Sequence, residues 1–177
     1  GRGWGVYSCP AGKIGVVNLL GQSGFNRVHL ANPFLLAQEV VERIARETRT
    51  IVLDFHATTT AEKYTMFHHL DGQVSAILGS HSKVLTSDAR VLKGGTAAIA
   101  GTGRTGSRLS VGGLDPEIEI RKFVTQIHEP SRISWKNLEL QGVLVDTDGD
   151  GKAAGIEILR VPCEEVENDG NRDRDQD

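Results

Sequence analysis

Asp54-Phe55-His56 and Gly79-Ser80-His81 each place a histidine just past a short apolar run. If the two runs are neighbouring parallel strands, both imidazoles reach the carboxyl edge of one sheet, where open α/β folds assemble their sites. Paired imidazoles there suit a metal or a phosphate. A histidine at a strand end also serves by simply bonding a backbone carbonyl, and the bare pattern leaves both roles open.

Two other motifs compete for attention. Gly101-Thr-Gly103-Arg-Thr-Gly106 satisfies GxGxxG and follows an expected strand. A dinucleotide site needs a helix directly after it to aim an N-terminus at pyrophosphate. Residues 107–113 (SRLSVGG) have no helical period, which favours a glycine-rich surface loop. Asp146, Asp148, Asp150 and Gly151, with Glu157 at the twelfth position, match the calcium-loop expression of an EF-hand. That motif takes a helix on each side, whereas residues 138–145 and 156–161 alternate like strands. An acidic hairpin turn is the simpler reading, with weak calcium binding as the alternative.

The elements that must carry these residues follow from pattern. Residues 13–20 (KIGVVNLL) and 50–56 (TIVLDFH) read as buried strands, and residues 74–78 as a third. Asn32 and Pro33 supply an N-cap and first-turn proline, and Phe34, Ala37, Val41, Ile44 and Ala45 recur at helical spacing through Thr48. Thr59 and Glu62 form a capping box that opens a helix to about Leu70. Residues 89–92 and 96–100 suggest two short strands around Gly94-Gly95. Asp115-Pro116 opens a further helix, with Ile120, Phe123, Val124 and Ile127 on one face and Pro130 ending it. Residues 132–145 and 155–161 then form a closing hairpin.

With 177 residues and 38% hydrophobic content, the chain can bury a core without staples. Its net charge of -3 lacks the basic footprint expected for binding a nucleic-acid duplex or an anionic membrane surface. The absence of a bilayer-length apolar run or a leader pattern gives a cytoplasmic location as the default expectation. Cys9 and Cys163 share no metal spacing and are expected as free thiols. Residues 164–177 hold seven acids against two arginines, so a solvated, disordered tail is expected. The organisation expected is one domain over residues 1–162 and a tail over 163–177.

Asn32-Pro33-Phe34, Asp54-Phe55-His56-Ala57, Glu62-Lys63, Asp71-Gly72, Gly79-Ser80-His81, Gly103-Arg-Thr-Gly106 and Gly142-Val143 appear in one order and at compatible spacings. In that order they resemble the later portion of the YmdB-like metallophosphoesterases over roughly residues 1–162. The resemblance implies an α/β fold of the calcineurin type, a β-sandwich flanked by helices, here incomplete and ending in a β-hairpin. It implies hydrolysis of 2′,3′-cyclic nucleotides and related phosphodiesters at a two-metal centre holding iron or manganese. Two cations clamp the phosphate and lower the pKa of a bridging water.

Carried over by motif, His56 and His81 are ligands of one metal. The remaining ligands and the family's catalytic histidine belong to an amino-terminal half, so no catalytic residue is assigned in this chain. Gly1 as the first residue, and a start that reads like the middle of a domain, point to further chain upstream. His29, His68, His69 and His128 match no catalytic element.

Three departures shift the site. Lys83 stands where the family's Gly-Thr-His-Thr-His ends in a metal-binding imidazole. Thr58 replaces the acid after Asp-Phe-His-Ala, and Gly101 replaces an aspartate, with Arg104 in place of a methionine. A protonated lysine cannot ligate but attracts phosphate as a point charge. Lys83 and Arg104 are thus the expected contacts to a phosphodiester or nucleotide. The chain is expected to be inactive alone, and to form a homo-oligomer or take up the missing half across exposed strands. The competing reading is a non-catalytic module that binds nucleotide or protein.

Overall fold

The structure is a computed structural model that describes residues 2–25 and 31–163. The acidic stretch at 164–177 and His29 lie outside the described residues. The chain divides into two compact units, Gly1–Arg104 with Gln141–Leu159, and Thr105–Leu140 with Arg160–Asp177.

The first unit is built on a six-stranded mixed sheet in the order β1-β2-β3-β4-β6-β5. Its centre is β2 (Gly12–Leu20), β3 (Ile51–His56) and β4 (Ala76–Ser80), all parallel. The expected strands are therefore present and adjacent. The register pairs Asn18 with Asp54 and His56 with Ser80. On the far side of β4 lie β6 (Ala97–Ile99), parallel to it, and β5 (Arg90–Val91), antiparallel to β6. The edge strand β1 (Trp4–Cys9) runs antiparallel to β2 and was not expected from sequence. Its run WGVYSC is short and holds a glycine, and Tyr7 and Cys9 are exposed, so the apolar signal of a strand is weak.

Alternation along β3 sets the two faces of the sheet. Ile51, Leu53 and Phe55 are fully buried against α1 (Pro33–Ile44) and α2 (Thr60–His69), through Ala37, Val40, Val41 and Ile44 of the first helix and Met66 and Phe67 of the second. Val52, Asp54 and His56 face the other way and are half-buried. On that opposite face, Val52 and Leu78 join Val145 and Ile156 around Ala76, Ala97 and Ala153. Those hairpin residues belong to β8 (Leu138–Thr147) and β9 (Ala153–Pro162), so the first unit layers helices, sheet and hairpin. This is the mixed α/β arrangement expected.

The helix starts are those the sequence predicts. Asn32 accepts from the Phe34 N–H at 2.9 Å, and Thr59 accepts from the Glu62 N–H at 3.3 Å. The first helix stops at Ile44, short of Thr48; residues 45–47 form a turn in which the Glu47 and Thr48 N–H groups donate to the Ile44 carbonyl, and the Thr48 hydroxyl donates to the Lys13 carbonyl.

In the second unit, β7 (Gly106–Ser107) pairs antiparallel with Leu138 and Glu139, and α3 (Pro116–Thr125) is capped by Asp115. This helix ends at Gln126, in a left-handed conformation with φ of 59°, four residues before Pro130. The four residues expected on one helix face, Ile120, Phe123, Val124 and Ile127, are exposed, the last of them past the helix end, and Ile118 and Glu119 are the buried positions. Among the described residues no helix is long and apolar enough to cross a membrane.

Candidate metal centre

The two imidazoles meet at the carboxyl ends of β3 and β4. His56 is the last residue of β3, and its register partner is Ser80, the last residue of β4; His81 follows directly. At His81 the backbone takes φ of 91°, which turns the side chain back over the strand end. His56 Nε2 and His81 Nδ1 lie 3.2 Å apart, and the rings meet edge to face with centroids 5.1 Å apart. Two imidazole nitrogens bound to one cation at about 2.0–2.1 Å each stand at a separation of this size. The same separation is that of a direct imidazole–imidazole hydrogen bond, so the distance is compatible with either arrangement.

A polar chain supports the pair from beneath. Asp54 shares the His56 face of β3, two residues back. Asn18 donates to Asp54 Oδ2 at 2.6 Å, Ser80 donates its hydroxyl to Asp54 Oδ1 at 2.8 Å, and His56 Nδ1 lies 3.0 Å from that hydroxyl oxygen. Three adjacent strands thus contribute to one network. The carboxylate holds the hydroxyl and not the imidazole, so this is not the order of a nucleophilic triad, in which the imidazole stands between the two.

Above the rings sits Phe25. It stacks on His56 with centroids 6.0 Å apart at 23° and meets His81 edge-on at 5.5 Å. The loop that delivers it is pinned by Glu62, which is buried and accepts from the Gln22 N–H at 2.7 Å and the Ser23 N–H at 3.2 Å. Thr58 adds a hydrogen bond to the Ser23 carbonyl, and the Gly21 N–H donates to the His56 carbonyl at 2.9 Å. Thr58 therefore ties down the loop.

The loops of the two expected anion contacts run side by side. The Thr102 N–H donates to the Gly79 carbonyl at 3.1 Å, the Thr86 N–H donates to the Gly101 carbonyl at 3.0 Å, and Leu85 bridges Thr102. Lys83 is exposed, two residues past His81, with φ of 56°. Arg104 is half-buried, and its backbone N–H donates to the Gln141 side chain at 3.2 Å. Beneath these loops lies the Ala100 peptide. Its carbonyl accepts from buried Lys63 at 2.7 Å and its N–H donates to Asp88, which also accepts from Tyr64 at 2.9 Å. Burial lowers the Lys63 pKa, and the charge of Asp88 pulls it partly back. Burial also works against the Asp88 charge, but hydrogen bonds from Thr86, Tyr64 and the Ala100 N–H outweigh it and leave the carboxyl below its usual range.

The other two motifs lie elsewhere. The GxGxxG run leads into β7, not a helix, and so is a loop. Asp146, Asp148 and Asp150 sit at the hairpin, where Asp148 Oδ1 accepts from the Asp150 and Lys152 N–H groups at 2.9 Å each. Among the described residues no group of three or more His, Cys, Asp or Glu side chains converges on a metal-sized site, here or at the imidazole pair. A cavity of about 380 Å³ lies at the opposite end of β3, lined by Arg49, Gly72 and Lys152. Its cations are engaged, Arg49 with Asp150 at 2.7 Å and Lys152 with the Gly94 carbonyl at 2.6 Å.

Sequence reasoning picked out both imidazoles, and it gave Asp54, Ser80, Asn18 and Phe25 no role. A signal existed for Asp54, since a period of two places it beside His56. None existed for Phe25, because a loop residue carries no period.

Helices on one face of a mixed sheet, a hairpin on the other, and two imidazoles at neighbouring strand ends are the arrangement that the resemblance to calcineurin-type metallophosphoesterases implies for this part of the fold. The chain belongs to the YmdB-like family, whose model, "YmdB-like protein", matches residues 1–159. It is 34% identical over 161 residues to the 2′,3′-cyclic-nucleotide 2′-phosphodiesterase of Bacillus subtilis, covering 91% of this chain and 60% of that protein. Among solved structures it is similar to a novel phosphatase from Mycoplasma pneumoniae, with a TM-score of 0.82 and 33% identity over 90% of this chain and 57% of that one. A hypothetical protein from Thermus thermophilus gives a TM-score of 0.81 at 26% identity, with 90% and 62% covered. The chain therefore spans about 60% of the length of the relatives it matches.

Proposed function

We propose that this chain contributes one metal position of a phosphodiester-hydrolysing centre, with His56 and His81 holding a single divalent cation, iron or manganese. The observation that carries this is the 3.2 Å between His56 Nε2 and His81 Nδ1. Lys83 and Arg104 supply positive charge toward the non-bridging oxygens of a phosphodiester, with a cyclic nucleotide as the substrate class suggested by the Bacillus subtilis relative. When bound, the cation acts as a Lewis acid and lowers the pKa of a water beside the phosphate.

Two side-chain ligands are fewer than the three or four of a tight catalytic site. The described residues bring together only these two, so the 177-residue chain binds cation and phosphate weakly and does not turn over by itself. The test is metal content by elemental analysis of the purified chain, alongside hydrolysis of a chromogenic phosphodiester with added manganese. Weak manganese binding that disappears in His56→Ala, without hydrolysis, supports the reading. Stoichiometric metal with turnover overturns the inactivity, and no manganese binding at millimolar levels overturns the metal position.

A further inference from the structure

We propose that Asp54 and Ser80 act as positioning residues that lock His56 in one tautomer, with the proton on Nδ1 and the lone pair on Nε2. This deepens the function proposed above and rests on it only for the use made of that lone pair.

Hydrogen-bond accounting gives the direction. An ionised Asp54 carboxylate offers acceptors only, so each group within reach of it must donate. Asn18 satisfies Oδ2 through its amide N–H at 2.6 Å, and the Ser80 hydroxyl donates its one hydrogen to Oδ1 at 2.8 Å. With that hydrogen committed, Ser80 Oγ has only lone pairs to offer His56 Nδ1 at 3.0 Å. The Nδ1 of a neutral ring must then carry the proton. The lone pair is left on Nε2, the atom 3.2 Å from His81 Nδ1.

The same accounting orients the second ring. With His56 Nε2 as acceptor, a neutral His81 donates its Nδ1–H to it. A cation entering between the rings has to displace that one proton, while His56 is already a ligand. Had Ser80 donated to Nδ1 instead, Nε2 would carry the hydrogen and donate it to His81 Nδ1, and His56 would be the ring that has to switch before it can ligate.

Local structure makes the arrangement rigid. Asp54 and His56 project from one face of β3, Ser80 is the register partner of His56, and Asn18 is the register partner of Asp54. Phe25 stacked on the ring restrains it from the outer side. Outer-shell partners of this kind fix the orientation and raise the basicity of a ligating imidazole, and their loss typically weakens metal binding about 10–100-fold.

The test reads the tautomer without any metal. Nitrogen-15 NMR of the metal-free chain at pH about 8, where an ordinary imidazole is neutral, should show His56 with a protonated Nδ1 and an unprotonated Nε2. Ser80→Ala should lose this bias, and Ser80→Thr, which keeps the hydroxyl, should restore it. Asp54→Asn should shift the proton toward Nε2, because the amide N–H can donate to Ser80 and free its hydroxyl for Nδ1. Cobalt binding followed by its visible spectrum should weaken about 10–100-fold in Ser80→Ala and recover in Ser80→Thr. A wild-type His56 protonated on Nε2, or a Ser80→Ala chain with the wild-type tautomer, overturns the positioning role. The expected tautomers without cobalt binding in any chain uphold the positioning role and overturn the proposed metal position instead.

Discussion

His81 presents its Nδ1 to His56 Nε2 at 3.2 Å from a backbone with φ of 91°, a region that side chains other than glycine's enter at an energetic cost. The conformation is held by its surroundings, with strand β4 fixed on one side and the loop bonded to residues 101–102 on the other. Strain of this kind is expected where a side chain must be aimed.

The strain and the imidazole separate by mutation. His81→Ala and His81→Gly should both reduce manganese affinity by about tenfold or more in calorimetric titration, the scale of one lost ligand at 1.4 kcal/mol. The glycine chain should be about 1–2 kcal/mol more stable than the alanine chain, because only glycine adopts the left-handed region freely. Equal urea midpoints for the two would show that the backbone at residue 81 carries no strain.

Lys83 follows His81 by two residues and is exposed. A protonated lysine has no lone pair to give a metal, whereas a neutral imidazole has one. Lys83→His should therefore tighten manganese binding by about tenfold or more, the scale expected from one added ligand of 1.4 kcal/mol. Phosphate binding measured without metal should weaken in the same variant. Unchanged metal affinity would mean that residue 83 does not reach the imidazole pair.

The site was half legible in the sequence, and the fold nearly so. Central strands β2, β3 and β4 and helix α1 carry strong signals, because their buried faces impose a period, whereas α2, which buries Glu62 and Lys63 beside Met66 and Phe67, is legible from its cap at Thr59 and Glu62. Edge strand β1 and the two-residue β7 escape, since neither buries enough to constrain composition. The α3 stripe says nothing of burial, and the reason is physical. Helical spacing of Ile120, Phe123, Val124 and Ile127 shows only that a helix would gather them on one side, and nothing in the spacing says what lies against that side. The Asp54-Ser80 support escaped because a hydrogen bond between strands depends on register, which no single segment contains.

The α3 stripe makes its own prediction. Phe123, Val124 and Ile127 are 75%, 77% and 70% exposed, whereas Ile118 is 7% exposed. Phe123→Ser and Ile127→Ser should each change the unfolding free energy by less than about 0.5 kcal/mol, as surface substitutions do. Ile118→Ala should cost about 2–4 kcal/mol, by lost burial and the cavity left behind. The comparison is made by urea denaturation of the single variants. Similar losses at positions 118 and 123 would show that the stripe is covered in solution.

Asp88 links stability to pH through the loops that carry Lys83 and Arg104. Its carboxylate accepts from Tyr64 and from the Ala100 N–H, and its pKa is held below the usual carboxylate value. The folded state therefore binds the Asp88 proton more weakly than the unfolded state, whose value is about 3.9. The sign follows from linkage: the stabilisation is complete above the unfolded pKa and is lost as pH falls through the lower folded value. Asp88→Asn removes the charge at every pH and leaves one amide oxygen to accept where the carboxylate had two. At pH 7 the variant should be less stable by about 1–3 kcal/mol, the range for hydrogen bonds to a charged group. The gap should begin to narrow below about pH 4 and close only as pH falls through the lower folded value, where protonation takes the same stabilisation from the wild type. Urea midpoints measured from pH 7 down to about pH 2.5 decide it. A gap that stays constant with pH would place the Asp88 contribution in its shape and packing, and the charge would then have no part in fixing the Ala100 peptide beneath the two loops.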